Sequence, residues 1–294
     1  MSASGVLLQD NPAGRQLYLA EQFAYTTVRI KCLLADGQPS LGTAFFFEFP
    51  RAAGHLPVLI TNWHVVEDSV DLQFRLRSRN DAGWPDNRRN TDFNLPVSSS
   101  SWIRHPDPAV DLAAYVVGRE ISAMIGQGKP PFFRACNPTS ILKASDIDAI
   151  NAVEEVLMVG YPEGMWDSFN NLPLTRAGIT ATHPAADYEG QKEFLIDIAC
   201  FFGSSGSPVF LNPPIVTVDR EGNSAPTDPA RPMFLGVLYA GMTATVEGDV
   251  TVKTIPTHKK LITLSERFLN LGVVIKAERI LEFDRLLPHF GESQ

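Results

Sequence analysis

Phe201-Phe202-Gly203-Ser204-Ser205-Gly206-Ser207-Pro208-Val209-Phe210 sets a serine between two glycines, with a proline and an apolar run behind it. Gly203 and Gly206 permit backbone shapes that a side chain would strain. A hydroxyl on such a bend suits acyl transfer, and an oxyanion hole is expected from the backbone amides of Gly203 and Ser205. Gly/Ser/Pro clusters also mark plain turns, so the stretch needs partners elsewhere to mean chemistry. It lacks the Gly-x-Ser-x-Gly elbow of the α/β hydrolases, because Ser207 stands at the last position.

A nucleophilic serine needs a base, and the base needs a group to orient it. His64 ends the apolar run Leu59-Ile60-Thr61-Asn62-Trp63-His64 and is the strongest candidate base; packing at a strand end is the alternative. The other histidines, His55, His105, His183, His258 and His289, sit in polar or turn-like contexts and are expected at the surface. Asp111 opens the apolar run Asp111-Leu112-Ala113-Ala114-Tyr115-Val116-Val117, where a carboxylate going into a protein needs a partner. Its alternative is a turn residue capping the preceding loop. Asp107, between Pro106 and Pro108, reads as a surface turn. The order His64, Asp111, Ser205 differs from the hydrolase order, in which the serine comes first.

Around these residues the chain reads as short strands. Thr26–Leu34, Gly42–Phe49, Val58–Asn62, Leu72–Leu76 and Leu112–Val117 form one group. Val156–Gly160, Thr175–Ala181, Phe194–Ala199, Pro208–Leu211, Phe234–Tyr239 and Val273–Ile275 form another. Ser78–Ser101 and the proline-rich Asn212–Pro232 read as loops, and Gly118–Lys129 with Asn137–Asn151 as a helix or crossover. Residues 1–20 read as a leader, and Ile280, Phe283 and Leu287 recur at helical spacing near the end. The pattern predicts an all-β fold of two packed antiparallel six-stranded β-barrels with a C-terminal helix. The barrels span about 24–118 and 150–276 of a domain at 21–290, and the helix about 277–287.

The 294 residues are 44% hydrophobic and 20% charged, a soluble composition. Three scattered cysteines, Cys32, Cys136 and Cys200, form neither a disulfide framework nor a zinc pattern, so no metal or other cofactor is expected and a cytoplasmic location is. A net charge of −8 and the lack of a dense basic block argue against nucleic acid; Arg75, Arg77, Arg79, Arg88 and Arg89 read as a solvated loop. No apolar run is long enough to span a membrane, and no signal peptide is visible.

Together these motifs resemble the trypsin-like (chymotrypsin-fold) serine peptidases of the bacterial, disulfide-free type, from about Ala24 to Leu287. Leu41-Gly42-Thr43-Ala44-Phe45, Thr61-Asn62-Trp63-His64-Val65-Val66 and Asp111-Leu112-Ala113 match the landmarks of the first barrel. Gly160-Tyr161-Pro162 and Arg176-Ala177-Gly178-Ile179 match those of the second. Gly203-Ser204-Ser205-Gly206-Ser207-Pro208 is similar to the nucleophile motif of glutamyl endopeptidases; many relatives have glycine in place of Ser207. The resemblance implies a serine endopeptidase acting on protein or peptide substrates, with Ser205 as nucleophile, His64 as base and Asp111 as orienter. It implies a specificity pocket near Ala199 and Cys200, and a substrate-pairing strand at Tyr239, Ala240 and Gly241. No acidic or histidine residue marks that pocket, so an apolar or small side chain before the cut is expected. Without an Ile-Val-Gly-Gly start, the leader is expected to contact a regulatory partner or gate the site; no peptide-binding module follows. A silent pseudoprotease and an esterase remain the alternatives.

Overall fold

In the computed structural model, residues 17, 19–52, 54–142, 150–212, 216–218, 222–226, 233–246 and 265–288 are described. The short helix α1 (Leu19–Phe23) leads into β1 (Thr27–Leu34), β2 (Pro39–Arg51) and β3 (Gly54–Thr61). A four-residue helix α2 (Trp63–Val66) follows, then β4 (Ser69–Arg79), β5 (Pro85–Pro96), β6 (Ile103–Arg104) and β7 (Ala113–Val116). These strands form one antiparallel seven-stranded sheet in the order β5-β4-β1-β2-β3-β7-β6. After α3 (Gly118–Gly126) come β8 (Glu155–Gly160), β9 (Leu174–Thr180), β10 (Glu193–Asp197) and β11 (Pro208–Leu211). With β14 (Phe234–Val246) and β15 (Ser265–Lys276) they close into a six-stranded barrel, β10-β15-β14-β11-β8-β9.

The second barrel is therefore closed as expected, but the first is an open sheet rather than a six-stranded barrel. Closure would need β5 to bond to β6, and β6 is two residues long and, among the described residues, pairs only with β7. The free edge of β5 carries exposed Arg88, Arg89 and Asp92, and charge of this kind keeps an edge from pairing. β5 also corrects the reading of Ser78–Ser101 as a surface loop, since β4 and β5 pair from Asp71↔Pro96 to Arg79↔Pro85. Asn212–Pro232 is likewise not all loop: β12 (Val216–Val218) and β13 (Ser224–Pro226) make a small two-stranded sheet. The terminal segment Ala277–Leu286 is helical but of the tighter 3-10 kind, and it does bury Ile280 and Phe283, with Leu287 just beyond. The leader before residue 17, the stretch 143–149, His258 and His289 lie outside the described residues.

The middle of β2 explains how the two halves share a core. Phe45, Phe46 and Phe47 are all buried although successive side chains on a strand point to opposite faces. Phe46 stacks on Phe133 in the cluster on one face of the sheet, with Ile30, Leu59 and Leu72. Phe45 and Phe47 point the other way, into a cluster continuous with the barrel interior, where Phe45 meets Phe234 edge-on. A strand buried on both faces reads as an uninterrupted apolar run, as Ala44–Phe47 does.

Candidate functional site

β3 and β7 are paired, with Thr61 opposite Ala113. His64 lies three residues beyond Thr61, and Asp111 two residues before Ala113, so the ladder delivers both to the same end of the sheet. The Asp111 carboxylate then accepts twice from His64. Oδ1 takes the backbone N–H at 2.9 Å, and Oδ2 takes Nδ1–H at 2.5 Å. Because an ionised carboxylate only accepts, Nδ1 must carry the proton and Nε2 is left as the acceptor. Asn62 Nδ2 donates to the Asp111 carbonyl at 2.8 Å and fixes the loop that holds the acid. The imidazole remains open to solvent, with 47% of its side chain exposed, while Asp111 keeps 22%.

The Ser205 turn approaches the end of β3 from the barrel. Its carbonyl accepts from Thr43 N–H at 2.9 Å, and Gly206 N–H donates to Leu238 O at 2.9 Å, so the serine turn is clamped between β2 and β14. Gly206 has φ +86°, and a Cβ there would lie 1.9 Å from Thr43 O and 2.6 Å from Thr61 Oγ1. Only glycine lets the turn approach the end of β3 this closely. Gly203 has φ +80°, and its missing Cβ would lie 2.6 Å from Tyr161 O. No hydrogen bond joins Ser205 Oγ to His64 among the described residues. In free enzymes such bonds are commonly long and shorten when substrate arrives.

Two amides in this turn are uncommitted. Neither Gly203 N–H nor Ser205 N–H donates to an acceptor among the described residues. The Phe202 carbonyl, by contrast, accepts from Glu163 N–H at 2.6 Å. In a trans peptide the N–H points opposite to the carbonyl, so this bond turns Gly203 N–H away from Glu163.

The remaining sequence-derived site residues divide. The β11–β14 ladder ends at Pro208↔Val237, followed by bonds from Leu238 N–H to Ser207 O and from Gly206 N–H to Leu238 O. Tyr239, Ala240 and Gly241 have no strand partner on that side among the described residues, an edge open to an added strand. The Tyr239 hydroxyl donates to Glu193 Oε2 at 3.1 Å. Burial above all, then the Glu193 carboxylate and lastly the Asp111 charge push this phenol up. Ala199 is half-buried, whereas Cys200 is 4% exposed in the barrel core, with Sγ 2.7 Å from where a Gly272 Cβ would stand.

Several surface expectations fail for a shared reason: a polar group found a specific partner. His105 is buried, its ring nitrogens 3.1 Å from Asp107 O and 3.0 Å from Arg279 O. Arg77 is buried over Tyr25, donating to the carbonyls of Asn170 and Asn171. Asp107 pairs with Arg279 at 2.8 Å and takes no part near His64.

One residue of the site was missed. Thr43 is fully buried, and its Oγ1 donates to Gly203 O at 3.0 Å while accepting from Tyr161 N–H at 3.1 Å. Its carbonyl accepts from Thr61 Oγ1 at 2.7 Å. The available signal was a lone hydroxyl inside the apolar run Leu41–Phe47. Ser207, bulkier than the glycine of many relatives, is accommodated too. It donates to Thr43 Oγ1 at 3.3 Å, and Gly160 leaves room, since a Cβ there would lie 2.0 Å from Ser207 Oγ.

Among solved structures, the chain is similar to the HtrA-type protease AlgW with tripeptide, at 17% identity and TM-score 0.45, over 90% of this chain and 60% of that one. It is also similar to the active form of the Rv3671c protease from M. tuberculosis, at 16% identity and TM-score 0.43, over 92% and 83%. No curated protein is significantly similar in sequence. The model of the trypsin-like peptidase domain matches residues 42–213, more than half of the chain and a segment that holds His64, Asp111 and Ser205; the chain belongs to that family.

Proposed function

We propose that the chain is a serine endopeptidase that cuts protein or peptide substrates through Ser205, His64 and Asp111. What supports this most is the pair of hydrogen bonds from His64 to one carboxylate, which leaves Nε2 as the acceptor. In the acylation step Ser205 Oγ bonds to the scissile carbonyl carbon and its proton passes to His64 Nε2. The carbonyl oxygen becomes an oxyanion, received by the unspent N–H groups of Gly203 and Ser205. As the C–N bond breaks, His64 returns the proton to the leaving amine. Water then repeats the sequence in reverse and frees Ser205. Asp111 holds the Nδ1–H tautomer throughout and stabilises the imidazolium.

The substrate's acyl half lies along the open edge at Tyr239–Gly241 as an added strand. The side chain before the cut is apolar or small, since the half-buried Ala199 offers no charge to a basic or acidic one. Digestion of a peptide library tests both statements. Cuts after small or apolar residues, lost in Ser205→Ala, are expected. Intact peptides with simple esters hydrolysed would favour an esterase, and cuts dominated by Arg, Lys or Glu would refute the pocket.

A further inference from the structure

The outer face of the sheet beside the serine turn is cationic in a chain that is acidic overall. Arg29 and Lys31 project from β1, opposite Thr43 and Leu41 of β2. On the other side of β1, Lys31 faces Gln73 of β4, and Arg75 follows two residues later. These side chains line a cavity of about 310 Å³, closed on one side by Trp166 and Asn171 of the loop after β8. Among the described residues, Arg75 alone of the three is neutralised, by Asp92 at 2.6 and 3.0 Å. Arg29 gives its Nε–H to Gly164 O at 3.0 Å and lies over the Trp166 ring at 4.4 Å, neither of which cancels its charge. Lys31 has no carboxylate or carbonyl partner among the described residues.

The position of the cavity follows from the clamp on Ser205. One side of the turn is held by Leu238 of β14, beside the open edge Tyr239–Gly241; the other is held by Thr43 of β2. If the acyl half of a substrate follows β14, the leaving half must cross β2 and meet the ladder partners of Leu41 and Thr43, which are Lys31 and Arg29. Two strand spacings span about 10 Å, which an extended chain at about 3.3 Å per residue covers in roughly three residues. We propose that this cavity receives an acidic side chain of the substrate, about three residues beyond the bond cut. The inference rests on the peptidase reading for its direction along the substrate. It gives Lys31 the role of a specificity residue and Trp166 that of a wall which keeps Arg29 extended.

The test uses the Ser205→Ala variant and fluorescein-labelled alanine octapeptides carrying one glutamate or one glutamine. The glutamate peptide is expected to bind about tenfold more tightly, the size of one charge-assisted hydrogen bond. That advantage shrinks as salt rises, because the cavity is open to solvent. Lys31→Gln removes the difference, and Lys31→Glu reverses it. Equal affinities, or a preference that Lys31→Gln leaves intact, overturn the proposal. Glutamate moved along the cleavable peptide in the Ser205-intact protein gives the direction through kcat/KM. Cleavage at equal kcat/KM wherever the glutamate stands would sink this inference and leave the peptidase reading standing. Lys31-dependent binding without any cleavage would do the opposite.

Discussion

Asp111 uses both oxygens on one residue, His64, and thereby fixes the backbone and the ring together. Asp111→Asn keeps the shape but offers an N–H where an acceptor is needed, so the imidazole turns to the wrong tautomer. The expected result is a fall in kcat of about 10⁴-fold near neutral pH with folding intact, read by peptide hydrolysis and circular dichroism. An unchanged kcat would remove Asp111 from the mechanism. The cysteines give a second check at this scale. Burial pushes the Cys32 and Cys136 thiols up to about 12 and Cys200 up to about 11, so all three stay protonated and shielded at pH 8. Iodoacetamide is expected to leave the folded protein unmodified and to label three sites in urea, by mass spectrometry. Rapid labelling of Cys200 in the folded state would instead place it on an open pocket wall. At this scale the sequence was informative for His64 and Asp111 because both flank apolar strands whose pairing forces them together. It was misleading for His105 and Arg77, whose partners, Arg279 O and the carbonyls of Asn170 and Asn171, lie far along the chain.

Among the elements, β2 joins the halves through Phe45 in the core and through the hydroxyl of Thr43. Thr43→Val keeps the shape and leaves Tyr161 N–H without an acceptor and Gly203 O without a donor, at a cost of about 1–3 kcal/mol per unsatisfied group. Lower stability by chemical denaturation and a lower kcat at similar KM are expected; full activity would show that the Gly203 turn holds itself. Gly206→Ala strains a φ of +86° at roughly 1–3 kcal/mol and drives Cβ into Thr43 O, so it is expected to destabilise the fold and detach Ser205 from β2. At the far end of the barrel, Lys276 of β15 and then Lys192 hold Asp187 below the usual carboxylate range. The folded state therefore releases that proton more readily than the unfolded one. The contact contributes stability above the ordinary carboxylate value of about 4 and loses it as pH falls through the depressed value. Asp187→Asn is expected to lower Tm at pH 7 by an amount that vanishes towards pH 2; a gap independent of pH would contradict this. Most strands were legible from apolar runs, with ends off by a few residues. β5 was not, since Asn, Asp and Arg fill an edge strand that is only half covered, and the alternation that marks a strand comes from burial. The terminal helix was legible as a buried face, but the spacing of Ile280, Phe283 and Leu287 suits both α and 3-10 turns.

For the molecule as a whole, two groups of strands were countable in the sequence, but closure was not. A barrel closes through hydrogen bonds between its first and last strands, and no side-chain pattern reports those bonds. Here β14 and β15 are long enough to complete one barrel, while the two-residue β6 leaves the other sheet open. The family was legible because short motifs with tight backbone demands stand in one chain, Thr61–Val66, Asp111–Ala113 and Gly203–Pro208, the same stretches that carry the candidate site. The central claim is that Ser205 is made nucleophilic by His64 across the junction of the two sheets. The most direct measurement is mass spectrometry of the intact and digested protein after exposure to a fluorophosphonate. The expected result is one adduct, mapped to Ser205, that forms rapidly in the parent and is lost in His64→Ala. An unmodified protein, or an adduct on Ser205 that forms as fast without the imidazole, would contradict it.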